Sequence, residues 1–435
     1  MSLLKSIFIG YLFAIDFTFS ATYYVDNVTG NDGNSGKSTS LPWKTLTKVN
    51  GFTFAFGDTI SLKCGSRFLV TAPITKKSNI TFNSYGSGAR PVIDGSSVDA
   101  CFSFDGQSNI IFNGLKIVKG YSANVGFWNC YNVTIESCNI DSIRGPGSNT
   151  IYSGQGANLI IRNSTMNFGN LTPRNGVGST AIYIDGTDNT LMEYDTLDGN
   201  FQNLRVAFGD DTYDVHNKFT MGLIVRYCVI RNGAYDNVDD DGSYNAQFYY
   251  NVFETPNTSD YHDNVYIYTN GGGGYLDRSC IGAKYYNNTF IQHKRGQIID
   301  FSGNGQPILV ADSLTFKNNI FYYDTPDGYM FYHNAPTKFF TINNNLWFVT
   351  NSDHMWMINS NSTTTFSTWQ GWGYDKNSIY ANPLFTNYAA GDYTLRNGSP
   401  AISSGIFVGL TTDINGNSVP SNYPDMGAFQ HLTNQ

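Results

Sequence analysis

Aspartate dominates the side chains in this sequence that could do chemistry. Asp185 comes first, then Asp210 and Asp211, then the triplet Asp239, Asp240 and Asp241. Tyr183 and Arg205 precede the first two groups, and Tyr266, Tyr268 and Asp300 follow the third. Carboxylates crowded together repel, and relief comes from a shared proton, a basic partner or a bound cation. A shared proton sets a general acid beside a general base, the pair that cleaves a glycosidic bond; carboxyl groups about 5 Å apart imply retention, about 6.5–9.5 Å inversion. Asp241 and Asp210 are the favoured pair, with Asp185 or Asp240 as the third catalytic carboxylate. Hydrolysis by such a pair requires no cofactor. The alternative is a lyase reaction on an acidic glycan, with Asp211 and Asp239 as oxygen ligands for Ca²⁺. His262, Lys294 and Arg295 stand in turns beside the same region, and a lyase needs a base to take the proton α to a carboxylate. Tyr183, Tyr266, Tyr268 and Trp128 could stack on sugar rings, and Arg205 could hold a hydroxyl. Phosphate-loop, HExxH and GxSxG signatures are missing. A third class, a non-catalytic glycan-binding surface protein, would carry the same aromatic residues without using the aspartates.

These residues are far apart in sequence, so a repeating scaffold must bring them together. A nine-residue unit begins at Asn109, Asn132, Asn158, Asn189, Gly222, Asn245, Gly282, Ser313 and Phe339. Its fourth and ninth positions are apolar, from Phe112 and Ile117 in the first unit to Ile342 and Trp347 in the last. Its seventh is small or polar: Cys138, Ser164, Asp195, Cys228, Asn251, Asn288, Asn319 and Asn345. Such side chains at a constant turn suit hydrogen bonding from coil to coil, a structural task. A further short strand precedes each unit, at 100–106, 126–130, 150–154, 180–186, 205–210, 237–242, 264–270, 297–303 and 329–334. Apolar residues two apart, with no sustained 3.6-residue period, describe strands burying alternate side chains. Units of this size cannot bury their faces alone and must stack. The predicted fold is therefore all-β, a right-handed parallel β-helix, a solenoid of roughly ten coils. Outward side chains on successive coils then align about 4.8 Å apart, which puts the aspartates and tyrosines on one wall. Long turns beginning near Asp210, Asn270 and Ser302 are expected to border it as a cleft.

Composition narrows the classes. Only 14% of the residues are charged and 15% are aromatic, which excludes a disordered chain, and a net charge of −8 argues against nucleic acid as a partner. Residues 1–20 read as a signal peptide, with Lys5, an apolar run from Ile7 to Ile15, and Thr18-Phe19-Ser20 before Ala21. A secreted protein, extracellular or periplasmic, with no membrane span and acting as a monomer on a polysaccharide is expected. The division would be an N-terminal cap and first coils at 21–100, a core at 101–348 with the cleft, and C-terminal coils and cap at 349–435. The six cysteines lack metal-site spacing and read as buried side chains with one or two disulfides at most.

The two ends resemble secreted β-helix proteins of the pectate-lyase-like superfamily. The resemblance rests on Tyr23-Tyr24-Val25-Asp26, Gly30-Asn31-Asp32-Gly33, Pro42-Trp43-Lys44-Thr45-Leu46 and Phe56-Gly57-Asp58-Thr59-Ile60. At the other end it rests on Ala381-Asn382-Pro383-Leu384-Phe385, Asp392-Tyr393-Thr394-Leu395, Gly398-Ser399-Pro400-Ala401-Ile402 and Pro424-Asp425-Met426-Gly427-Ala428-Phe429. With the repeat it covers nearly all of residues 22–430. It implies the solenoid and secretion, and an activity among polysaccharide lyases, polygalacturonase-like hydrolases, xylosidases and epimerases. A family-nine pectate lyase would show an Asp-Asp-Gly-Phe-Asp calcium motif and a catalytic lysine one coil later. This chain departs from that pattern: it reads Asp239-Asp240-Asp241-Gly242-Ser243, and its next coil, residues 264–270, has no lysine.

Overall fold

The computed structural model describes residues 20–167, 178–207, 220–258, 260–270, 278–302, 312–333, 339–350, 356–358 and 361–432. Three long sheets run the length of the molecule, and each coil gives one strand to each. The first sheet extends from Thr22–Val25 to Phe339–Asn343, and the second from Arg67–Leu69 to Ile379–Tyr380. The third runs from Ala100–Asp105 to Trp356–Ile358. Successive coils pair in parallel; two short strands run antiparallel to the third sheet, the closing strand Asn361–Thr363 against Trp356–Ile358 and Arg278–Ser279 against the end of Asp263–Asn270. This is the parallel β-helix expected from the repeat.

The nine-residue unit has a plain physical meaning. Its first and sixth residues turn the chain in the left-handed region, with φ of 57° at Asn109, 57° at Asn132, 62° at Asn158, 52° at Asn163 and 53° at Asn287. That conformation is costly for most residues and tolerable for Gly and Asn. The first-position asparagines also bridge coils: Asn132 Nδ2 donates to Asn109 Oδ1 at 2.9 Å, and Asn158 Nδ2 to Asn132 Oδ1 at 2.8 Å. At the seventh position the amides form a buried ladder. Asn251, Asn288 and Asn319 each donate backbone N–H to the Oδ1 of the next coil's amide, at 3.0, 2.9 and 2.9 Å. Asp195 holds the same column, where its Oδ1 accepts from Ser164 N; burial pushes its carboxyl well above the usual range. Its task is structural, as its place in the repeat implied.

Apolar positions fill the interior. Phe248, Tyr285 and Phe316 stack at centroid distances of 4.6 and 4.9 Å, and Phe253, Phe290, Phe321 and Trp347 at 4.8, 5.1 and 4.0 Å. Each stacked pair contributes about 0.5–1.5 kcal/mol beyond its buried area. At the N-terminal end Trp43 packs on Tyr23 at 4.8 Å, and Asp32 accepts from Lys44 N and Thr45 N. Thr45 in turn caps the helix Leu46–Gly51 by accepting from Lys48 N.

At the C-terminal end the chain does not simply continue the coils. Beyond Ile379–Tyr380 it forms the antiparallel pair Phe385–Asn387 and Asp392–Leu395 and then lies back along the solenoid. Phe385, Tyr393, Leu395, Ala401, Met426 and Ala428 cover Val252, Ile291, Ile320, Tyr322 and Leu346 on the outside of the second sheet. All six cysteines are free thiols, five of them buried, so the one or two disulfides allowed for above are not formed.

Candidate active site on the third sheet

The third sheet positions the chemistry. Its inward column is apolar: Ile151, Ile182, Leu204, Val238, Val265 and Ile299 lie in register and are fully buried. The next residue on each strand faces out, giving the row Tyr152, Tyr183, Arg205, Asp239, Tyr266 and Asp300 on six successive coils. The alignment inferred from the repeat is thus the register of the sheet. Two residues further on, Trp128, Gly154, Asp185 and Ala207 make a second outward row, which Asp241 continues through its N–H to Val206 O.

Arg205 organises the centre. Its Nη2 lies 3.0 Å from Asp241 Oδ2 and its Nε 3.5 Å from Asp239 Oδ2, and its guanidinium sits over the Tyr183 ring at 5.2 Å. Burial alone would lower the Arg205 pKa; the charges of Asp241 and Asp239 outweigh it and raise it, so the guanidinium stays charged. Burial, with Asp185, Asp241 and Asp239 nearby, pushes the Tyr183 phenol up to about 12. Asp239 is 6% exposed, hydrogen-bonded to Asp241 and to Gln202 Nε2. Burial and the Asp241 charge hold its carboxyl well above the usual range, despite the opposing pull of Arg205.

Two further aspartates complete the cluster. Asp236 and Asp263 face outward in register beside Gln202, and both are buried. Burial, then Asp239 and Asp263, raises Asp236 well above the usual range; burial, then Asp300, does the same to Asp263, which hydrogen-bonds Asp300. Gln297 N–H donates to Asp263 Oδ1 at 2.6 Å. Neither residue was picked out from sequence, because the strand alternation breaks just after them. Asn203, Asn237 and Asn264 turn inward as a second amide ladder, with Asn203 Nδ2 to Asn237 Oδ1 at 2.8 Å and Asn237 Nδ2 to Asn264 Oδ1 at 2.9 Å. The signal was present: Gln202-Asn203, Asp236-Asn237 and Asp263-Asn264 recur at the coil spacing.

Other expectations are corrected. Asp240 occupies the inward column with Val206 and Ile267, fully buried, and accepts from Ser243 N at 2.9 Å and Ser243 Oγ at 2.7 Å. It ties a turn and has no access to a substrate, since alternation sends it to the opposite face from Asp239 and Asp241. His262 is buried, with Nε2 at 2.6 Å from Thr258 Oγ1 and Nδ1 at 3.1 Å from Ala234 O; burial lowers its pKa. It supports the corner beside Asp263 and is not presented to a ligand. Lys294 and Arg295 end a strand of the second sheet, Thr289–Arg295, and so stand off the wall; Arg295 reaches its edge by covering the Tyr261 ring at 5.9 Å. Asp185 lies on the wall two coils before Asp241 and accepts from Tyr152 OH at 3.1 Å. Tyr266 lies between Asp239 and Asp300 in the first row, and Tyr268 pairs with Ser302. The Tyr268 side chain, Asp210, Asp211 and the three long turns lie outside the described residues.

The fit to calcium is poor at this point of the wall. Asp211 is outside the described residues, and the space between Asp239 and Asp241 holds the Arg205 guanidinium. Among the described residues no group of three or more His, Cys, Asp or Glu side chains is arranged to hold a metal ion. Among them, too, no helix is long and apolar enough to cross a membrane.

Known proteins resemble the chain chiefly in fold. No family model matches it. A lacto-N-biosidase of Bifidobacterium longum subsp. longum is 32% identical over 115 residues, a match covering 24% of this chain and 6% of that protein. The structure of pectate lyase Pel9A superimposes over 95% of this chain and 98% of its own with a TM-score of 0.55 and 14% identity. XylC, solved in complex with xylose, superimposes over 94% and 98% with a TM-score of 0.57 and 10% identity.

Proposed function

We propose that the protein hydrolyses glycosidic bonds of a polysaccharide on the outer wall of the third sheet, with Asp239 and Asp241 as its working pair. The observation that carries this reading is the contact of a buried Asp239 with an Asp241 carboxylate that Arg205 fixes, a setting in which burial and the Asp241 charge favour the protonated form of Asp239. Asp239 gives its proton to the glycosidic oxygen as the C–O bond breaks. Asp241 meets the anomeric carbon and forms a glycosyl ester, which water then cleaves with Asp239 now acting as base. Two carboxyl groups in hydrogen-bonding contact lie far inside the about 6.5–9.5 Å spacing of an inverting pair, and parting them to about 5 Å on substrate entry gives the retaining spacing. Asp210, the partner expected for Asp241 from sequence, lies outside the described residues. The likeness of a segment to a lacto-N-biosidase supports a sugar-cleaving reading.

A lyase reaction is disfavoured by the same geometry. Among the described residues Arg205 is the one cation in the two outward rows, and its contact with Asp241 keeps it charged and so unfit to act as the base. The test is proton NMR of the first product formed, with a parallel assay in chelator. The reading expects the product anomer to match the substrate and activity to survive chelation. Inversion would remove Asp241 from the nucleophile role, and loss of activity in chelator would favour the Ca²⁺-assisted lyase.

A further inference from the structure

The wall continues beyond the carboxylates as a strip of rings. Trp128 and Tyr152 lie parallel, with centroids 6.1 Å apart and planes at 4°; Tyr152 meets the Tyr183 ring edge-on at 5.5 Å, and Tyr183 lies under Arg205. All three rings are half-buried, so each keeps part of its surface open. Gly154 makes the arrangement feasible: a Cβ there would stand 2.5 Å from Trp128 Cε3 and 2.7 Å from the Tyr152 hydroxyl oxygen. The backbone thus leaves open the place where the indole folds over the next coil.

Charge defines what such a strip can take. Asp105 lies in register with Trp128, and Asp185 accepts from the Tyr152 hydroxyl. Among the described residues Arg205 is the one cation in the two outward rows, and it is already engaged by Asp241 and Asp239. Among the described residues nothing in the two rows offsets the repulsion that a polyuronate would meet here. A neutral chain of equatorially linked pyranoses would not, and its C–H faces match aromatic rings. One pyranose spans about one coil rise of about 4.8 Å, so successive sugars meet successive rings.

We propose that Trp128, Tyr152 and Tyr183 form a binding strip for a neutral glycan that runs from the carboxylate cluster toward the N-terminal coils. This rests on the reading of the wall as a glycan-cleaving site and adds the substrate's charge class and direction. The test is calorimetric titration of the D241N protein with cellohexaose, xylohexaose and hexameric oligogalacturonate, repeated with W128A, Y152A and W128F added. At least one neutral hexamer should bind and the oligogalacturonate should not. W128A and Y152A should each weaken binding about tenfold, which is about 1.4 kcal/mol, while W128F retains most of it. The disaccharide of the binding series, which does not reach Trp128, should lose nothing in W128A. Preferred binding of oligogalacturonate, no binding of either neutral hexamer, or unchanged affinity in both alanine variants overturns the strip. Ring-dependent binding by a wild-type protein that cleaves nothing would leave the strip standing and remove the hydrolase reading. Cleavage with ring-independent affinity would do the reverse.

Discussion

Asp239 lies on the strand Asp236–Asp240 and Asp241 just beyond its end, with Arg205 against both, so their roles separate by environment. D239N and D241N should each lower the turnover rate by about a hundredfold or more, the usual loss for a general acid or a nucleophile. Both should remain folded by circular dichroism. Asp236 and Asp263 make a different prediction. Their folded carboxyls titrate above the unfolded value of about 3.9. The stability linked to their protons is full below that value and is lost as pH rises through the folded values. D236N and D263N should therefore raise the melting temperature at about pH 8 and change it little at about pH 4, which scanning calorimetry would show. A melting temperature lowered at both pH values would mean that the carboxylates stabilise the wall. Much at this scale was legible beforehand: the row Tyr183, Arg205, Asp239, Tyr266, Asp300 follows from alternation and coil spacing. Asp240 was misplaced by treating a triplet as one unit when a strand sends its middle member inward. Asp236 and Asp263 were hidden by the inward-turning asparagines after them.

At the scale of the element, the turns carry as much information as the strands. The seventh-position amides read as structural from sequence, and the ladder from Asn251 to Asn345 shows why they recur. Asn288 accepts from Asn251 N and donates to Phe248 O at 2.9 Å and Asn319 Oδ1 at 3.1 Å, all inside the solenoid. N288A would leave buried backbone groups without partners, at about 1–3 kcal/mol each. Denaturant unfolding should show that loss. A variant at the exposed Asn132, whose bridge to Asn109 water can replace, should lose much less. The long turns near Asp210, Asn270 and Ser302 were legible only as insertions between repeats.

For the whole molecule, the solenoid was legible because one pattern recurs from the first coils to the last. The C-terminal strap was not, because it makes a single set of contacts and no period announces it. Its junction is polar as well as apolar. His293 Nε2 lies 3.2 Å from Glu254 Oε1, and Tyr388 OH bridges His293 Nδ1 and Asp324 Oδ2 at 3.1 Å each. Burial would raise Glu254, but hydrogen bonds from His293 and Tyr393 outweigh it and lower its pKa. This contribution is present above the unfolded value of about 4.3 and is lost as pH falls through the folded one. H293A should therefore lower the melting temperature at about pH 7 and narrow the difference between about pH 7 and about pH 3. An unchanged melting temperature would show that the apolar contacts alone hold the strap.

The most direct trial of the carboxylate wall is to incubate the purified protein and D241N with a panel of neutral and acidic polysaccharides, following new reducing ends and ultraviolet absorbance together. Hydrolysis at the wall predicts reducing ends from a neutral polymer, no absorbance from a new C=C bond, and neither signal from D241N. Absorbance rising with the reducing ends, or a D241N protein as active as wild type, would contradict it.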